Sequence, residues 1–256
     1  MQRYFVPDNC WQAEKIHITG GDAHHIIKVM RHKIGDKIIC NHPDGKFAKC
    51  TIEHMTKDTV VAQVGNWIDE SRELPVYVTI VQALPKGDKI ELTLQKGTEL
   101  GANEFIPYMA DRSVVRWDAT KRQKKHQRFS KIVKEASEQS ERNKVPEVQP
   151  VKSLKEIVQH TEGYDVKMFA HAEEARTHDY HSLGYTLKQT HIGEKIVICI
   201  GPEGGFSDSE VALLTKHHFS PVRLGQRILR TETAGIYALA SISYHFEELR
   251  WNSCQQ

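Results

Sequence analysis

Up to about Glu70 the chain alternates apolar and polar residues in short runs, QRYFVP, DKIIC, KFAKCTIEHM and TVVAQVGNWI. That period of two sets one face of a strand on a core and the other in water. Asp44-Gly45, between the second and third runs, is a hairpin-turn signal. The runs predict a small β-barrel or curled sheet. One helix interrupts it, with Asp22 as N-cap, HHIIKVMR as its body and Gly35 beyond its end. The charged segment DESRELP, closed by Pro75, marks a boundary, so the expected domains are 1–72 and 73–256.

From Val76 the pattern changes, because apolar strands now alternate with helical periods. VYVTIVQAL is followed by the helix DKIELTLQKGTEL, closed by Gly101, then by the strand EFIPYMA and a long basic helix. DVKMFAHA, KIVICIGP, a helix from Ser207, the strand PVRLG and a last helix from Thr231 to about Leu249 continue the alternation. This order predicts an α/β domain built on a parallel sheet.

Composition narrows the classes. A chain of 256 residues with 39% hydrophobic and 27% charged residues has ample length for a large domain and a small one. No apolar run approaches the roughly 18 residues of a spanning helix, and MQRYFVPDNC lacks a signal-peptide core, so a cytoplasmic location is expected. Cys10, Cys40, Cys50, Cys199 and Cys254 form no C-x-x-C pair and read as reduced thiols. Net charge is only +2, yet residues 112–144 hold eleven Lys/Arg against four Asp/Glu. Such a run is either a solvated helix face or a phosphate-binding surface.

Candidate chemistry lies nearer the C-terminus. KIVICIGPEGGFSDSE runs from a buried-type strand into Gly201, Pro202, Glu203, Gly204 and Gly205, and ligands of α/β sheets bind at such strand ends. The two adjacent glycines permit a tight turn or let a ligand approach bare backbone. Ser207 and Glu210 form a capping box, which accounts for both. No P-loop and no G-x-G occurs, which excludes the common nucleotide folds. His171, Glu173, Glu174, His178 and His181 cluster in HAEEARTHDYH without zinc spacing and read as a polar surface segment. No metal is expected. His24-His25 and His217-His218 read as helix-surface residues.

In LGQRILRTETAGIYAL, Thr231 reads as an N-cap and Glu232 as a first-turn acid favoured by the helix dipole. Arg230 has no such explanation, since a cation beside the positive end of a helix is disfavoured unless something anionic or polar is also there. It points to a site. Ala234, Ala238 and Ser241 form a stripe of small residues suited to close helix packing, within the fold or between subunits.

With GPEGGFSDSE and LGQRILRTETAGIYAL in hand, the chain resembles the SPOUT superfamily of RNA methyltransferases, and within it the bacterial 16S ribosomal RNA uridine-N3 methyltransferases. RYFV at Arg3 to Val6, HHIIKVMR with Gly35-Asp36, PKGDK at Pro85 to Lys89, QKGTELG at Gln95 to Gly101, DRSV and EQSERNKVPEV carry the likeness over nearly the whole length. Two departures are Gly97, where the family usually has alanine, and Glu141, which replaces a small residue before Arg142.

The resemblance implies an N-terminal PUA-like β-barrel that binds RNA and a C-terminal α/β domain with a trefoil knot. It implies S-adenosyl-L-methionine as cofactor, held by loops mapping to Phe169 to His171, Ile200 to Gly205 and Leu224 to Thr231. The named contacts are His171, Ile200, Gly201, Gly204, Gly205, Leu224, Gly225, Leu229 and Thr231. It also implies a homodimer acting on 16S ribosomal RNA or the small ribosomal subunit.

Uridine N3 is a poor nucleophile until its proton leaves, and the negative charge then spreads to the flanking carbonyl oxygens. Arg230 is placed to stabilise that charge. Glu203 and Glu232 remain alternative general bases. Arg3, Arg31, Lys86, Lys96, Arg112 and Arg142, in the likeness-bearing segments, are the expected RNA contacts. Two rival readings are a SPOUT enzyme acting on tRNA or large-subunit RNA and a non-catalytic RNA-binding factor. The intact GPEGG and RILRTETA runs speak against the second.

Overall fold

Six strands of the first half pair in the order β1-β4-β5-β6-β3-β2: β1 (Arg3–Phe5), β2 (Trp11–Gln12), β3 (Lys15–Thr19), β4 (Lys37–Asn41), β5 (Phe47–Met55) and β6 (Thr59–Ile68). The computed structural model describes residues 1–171 and 181–249. β4 and β5 form the expected hairpin, whose turn has the Gly45 N–H donating to His42 O at 3.0 Å and Gly45 at φ +95°. Alternation along KIHIT buries Ile16 and Ile18 and makes β3, a strand that is not among the expected runs.

The helix differs from expectation at its start. α1 (Gly20–His24) leaves β3 directly with Thr19 at the N-cap and no side-chain cap bond, so Asp22 lies in the first turn instead of capping it. Gly20, at φ +64°, lets the chain enter the helix three residues earlier than expected. A π-helical turn, His25–Val29, continues α1, and Ala23 and Ile26 fill the core beneath the sheet. His25 is half-buried, with Nδ1 3.1 Å from the Tyr4 hydroxyl, so it supports the core and is no simple surface residue.

The chain divides into two compact units, Met1–Glu73 with Ser137–Val145, and Leu74–Ala136 with Pro146–Gln256. In the first, the returning segment is held by polar bonds. Asn41 Nδ2 donates to Arg142 O at 2.9 Å, and Asn143 Nδ2 donates to Gly45 O at 2.8 Å. The Arg142 guanidinium pairs with Glu73, and Arg72 pairs with Glu141. Glu141 adopts φ +57°, a conformation that a β-carbon makes costly.

The second unit holds a seven-stranded, wholly parallel sheet in the order β11-β13-β10-β12-β7-β8-β9. The strands are β7 (Tyr77–Ala83), β8 (Glu104–Tyr108), β9 (Glu147–Val148), β10 (Val166–Ala170), β11 (His181–Ser182), β12 (Lys195–Ile200) and β13 (Ser220–Arg223). Helices α2 (Lys89–Glu99), α3 (Ala119–Gln139), α4 (Leu154–His160), α5 (Leu183–Gln189), α6 (Asp208–Lys216) and α7 (Thr231–Ser243) connect or follow them. The mixed α/β fold is the expected one. α4 was missed although Ser153 and Glu156 form a full capping box, the same device that starts α6 at Ser207.

Burial explains the central strands, since β7 and β12 are buried on both faces, as a parallel sheet requires. The buried Glu104 carboxylate accepts from Thr79 Oγ1 at 2.8 Å and from the Tyr164 hydroxyl at 3.0 Å, and lies 2.8 Å from His160 Nε2. α2 packs on α7 so closely that a β-carbon at Gly97 would stand 2.8 Å from the Phe105 ring and 3.0 Å from Leu239 Cδ1. That crowding leaves no room for a side chain at Gly97. The small-residue stripe serves the same packing in part. Ala234 and Ala238 are buried, whereas Ser241 is half-exposed and turns its hydroxyl back to Tyr237 O.

Candidate active site

Strand order decides where the site forms. β13, β10 and β12 are adjacent and parallel, so their carboxyl ends, Arg223, Ala170 and Ile200, emerge at one edge of the sheet. The loops that follow, with the start of α7, line one cavity of about 590 Å³. This volume lies within the usual range of small-molecule sites.

Every cofactor contact expected from the sequence, His171, Ile200, Gly201, Gly204, Gly205, Leu224, Gly225, Leu229 and Thr231, lines that cavity. Arg230 and Glu203 line it too, whereas Glu232 does not. The sequence gives no sign that Lys89, Phe206, Asp208, Val222 and Arg223, outside the three expected loops, also line it. Lys89 stands in the quoted PKGDK run, but nothing in a linear pattern shows that α2 begins beside α7.

Local geometry fixes the loops. Gly205 sits at φ +69°, and its N–H donates to Pro202 O at 2.9 Å, closing the GPEGG turn. Arg112 Nη1 donates to Gly204 O at 3.1 Å, and a β-carbon at Gly204 would stand 3.3 Å from Arg112 Cβ. Arg112 therefore braces the turn and lines the cavity. Thr231 is the first residue of α7 and not its N-cap, a position that Arg230 fills without a side-chain bond. The Thr231 hydroxyl instead donates to Gly201 O at 2.6 Å and accepts from Gln82 Nε2 at 2.8 Å, tying the GPEGG loop, β7 and α7 together.

The charges at the cavity are ordered. Lys89 Nζ lies 3.7 Å from Glu203 Oε1 and 3.5 Å from Glu232 Oε1, and the Lys86 N–H donates to Glu203 Oε1 at 3.3 Å. Glu232 is largely buried, and its Oε2 has no hydrogen-bond partner among the described residues. Arg230 is exposed on the cavity wall and makes no ion pair among the described residues.

The expected RNA contacts divide. Arg31 and Lys86 are exposed, and Lys96, 44% exposed, bonds Glu99 at 2.8 Å. Arg3 and Arg142, at 2% and 3% exposure, must be corrected, because both are interior cations of the first unit. The Arg3 guanidinium stands 4.3 Å from the Phe47 ring centroid and donates to Asn41 Oδ1 at 3.2 Å. Burial, with Arg72 nearby, pushes its pKa down to about 10, which still leaves a cation at neutral pH. Neither side chain has the exposure that a phosphate contact needs.

Of the histidine and glutamate cluster, Glu173, Glu174, His178 and the side chain of His181 lie outside the described residues, as does Cys254. Among the described residues no group of three or more His, Cys, Asp or Glu could hold a metal, and no helix is long and apolar enough to cross a membrane. Cys10, Cys40, Cys50 and Cys199 are free thiols.

Residues 72–243 match the model of an RNA methyltransferase domain, and residues 18–65 match that of an RNA methyltransferase PUA domain. The chain belongs to the RNA methyltransferase family. Within that family it is 46% identical to the ribosomal RNA small subunit methyltransferase E of Bacillus subtilis, over 98% of this chain and 99% of the relative. It is 33% identical to the protein of that name from Synechocystis, over 88% and 72%. A Neisseria gonorrhoeae ribosomal RNA small subunit methyltransferase E, solved bound to S-adenosyl methionine, superposes with a TM-score of 0.83 at 29% identity, over 94% of this chain and 96% of that one. The first unit of this RNA methyltransferase is thus PUA-like and the second carries the methyltransferase fold.

Proposed function

We propose that the chain is an S-adenosylmethionine-dependent methyltransferase that modifies N3 of a specific uridine in 16S ribosomal RNA. One observation carries the reading: three strand-end loops and Arg230 line a single cavity in a chain of the RNA methyltransferase family. The small-subunit relatives and the cofactor-bound Neisseria structure support the substrate and the cofactor.

The lining fits that cofactor. Ala170, Ile200, Val222, Leu224 and Leu229 give apolar walls for a purine, and nothing stands within 4 Å of where a β-carbon on Gly205 would be, so a ligand has room to approach the chain there. S-adenosylmethionine, when bound, supplies an activated methyl group. The residues of the chain then have to align the uracil, exclude water and handle one proton and one charge. Glu203 takes the N3 proton in preference to Glu232, because only Glu203 lines the cavity. Lys89, between the two carboxylates, positions Glu203. Arg230 stabilises the charge that develops on a uracil carbonyl oxygen.

The same reading gives residues 73–256 the SPOUT trefoil knot and residues 1–72 the RNA-binding role, and it makes the enzyme a cytoplasmic homodimer. Tyr237, Tyr244 and Leu249, exposed beside α5, offer a surface for the second subunit.

Mapping N3-methyluridine in ribosomal RNA from a deletion strain, with and without the restored gene, tests the substrate. A 16S methylation that disappears with the gene and returns with it supports the reading. A mark lost from tRNA or large-subunit RNA instead would transfer the function to the rival SPOUT substrate.

A further inference from the structure

Residues 29–34 of the first unit hold three large apolar side chains in water: Val29 is 57% exposed, Met30 42% and Ile34 62%. The segment is not a loose loop. Met30 N–H donates to His25 O at 2.9 Å and His32 N–H to Ile26 O at 3.1 Å, closing the π-helical turn. Asp36 takes the Lys33 N–H at 2.8 Å and lies 3.0 Å from His32 Nδ1, while Gly35 N–H donates to Ile52 O at 2.8 Å. Arg31, at φ +55°, occupies a left-handed conformation that a residue with a β-carbon adopts only when its surroundings impose it.

A hydrogen-bonded apolar segment that leaves about half of each large side chain in water gains little from burial in its own unit, so the strain and the exposure need another reason. Charge supplies it. Lys28, Arg31, Lys33 and Lys37 lie in or beside the same stretch of chain, all exposed, and none of them forms an ion pair among the described residues. Exposed apolar residues interleaved along the chain with free cations suit a polyanion whose interior is apolar and stackable, which describes RNA.

We propose that Val29, Met30 and Ile34 form a wedge that enters the RNA and holds bases unstacked, while Lys28, Arg31, Lys33 and Lys37 grip the phosphates on either side. The proposal rests on the RNA methyltransferase reading and adds to it a means of opening structured RNA. Preorganisation is the physical advantage, since a tip already ordered loses little conformational entropy on insertion.

The test uses the full chain and a small-subunit RNA labelled with 2-aminopurine. The wild type should raise 2-aminopurine fluorescence on binding, and V29S/M30S/I34S should lose that rise and bind about tenfold or more weakly. Its salt dependence should match that of the wild type, because apolar contacts release no counterions, whereas R31A should flatten the log-log salt slope by about 0.7 to 0.9. Calorimetry of the triple variant with S-adenosylmethionine should match the wild type, which confines the defect to RNA. Wild-type RNA affinity and fluorescence in the triple variant would overturn the wedge. So would binding of the wild type to anionic phospholipid vesicles, abolished in the triple variant while RNA binding persists. Methyl transfer to small-subunit RNA by the wild type, measured alongside, tests the enzyme reading separately, so the two can fail independently.

Discussion

Arg230 stands at the N-cap of α7 with its side chain exposed on the cavity wall and no carboxylate partner among the described residues. A cation there opposes the helix dipole and has a use only when negative charge develops beside it. Arg230→Ala should lower the single-turnover methylation rate about 10²-fold or more with little change in melting temperature or cofactor affinity. Arg230→Lys should recover only part, since the point charge remains and the planar fork does not. A normal rate in the alanine variant removes Arg230 from the mechanism. Gly204 makes a second prediction at this scale. A valine there would strike Arg112, whose guanidinium braces the same loop, so Gly204→Val should fold and bind S-adenosylmethionine weakly by calorimetry.

At the scale of elements, Thr231 joins three of them, accepting from β7 through Gln82 and donating to the loop after β12 at Gly201. Thr231→Val keeps the shape, takes the hydroxyl donor from Gly201 O and leaves Gln82 Nε2 only its 3.3 Å bond to Ala83 O, at about 1–3 kcal/mol for a buried group that loses its partner. Thermal melting should fall by several degrees, and cofactor affinity should fall with it because the GPEGG loop loses its tie. An unchanged melting temperature would make the hydroxyl incidental. The capping boxes at Ser153 and Ser207 show how local this scale is elsewhere. Each was written in four consecutive residues, though only the second was read in advance.

Across the whole molecule, the return of Ser137–Val145 to the first unit changes how that unit can be tested. Deleting everything before Val76 would strip this segment of Asn41, Gly45 and Glu73, so a truncated enzyme would report misfolding as well as lost RNA contact. Point changes are cleaner. Arg142→Ala should destabilise the protein by about 3–5 kcal/mol in denaturant unfolding, because it abandons Glu73 in a largely buried ion pair. A loss of RNA affinity without a loss of stability would restore Arg142 as a phosphate contact.

Periodicity alone determined the alternation of strands and helices, the parallel sheet and the hairpin at Asp44-Gly45, since each depends on residues within one or two turns of chain. The GPEGG and RILRTETA segments were legible for a similar reason, because glycines at a strand end and a cation at a helix start conflict with their local surroundings. Tertiary structure decided what those conflicts meant. It set the carboxyl ends of β10, β12 and β13 side by side, brought Lys89 between Glu203 and Glu232, and buried Arg3 and Arg142 while leaving Arg31 in water. Charge is written in the sequence, but whether a cation meets solvent or a buried carboxylate depends on partners 69 residues away, as Arg142 and Glu73 show. No local pattern records such a distance.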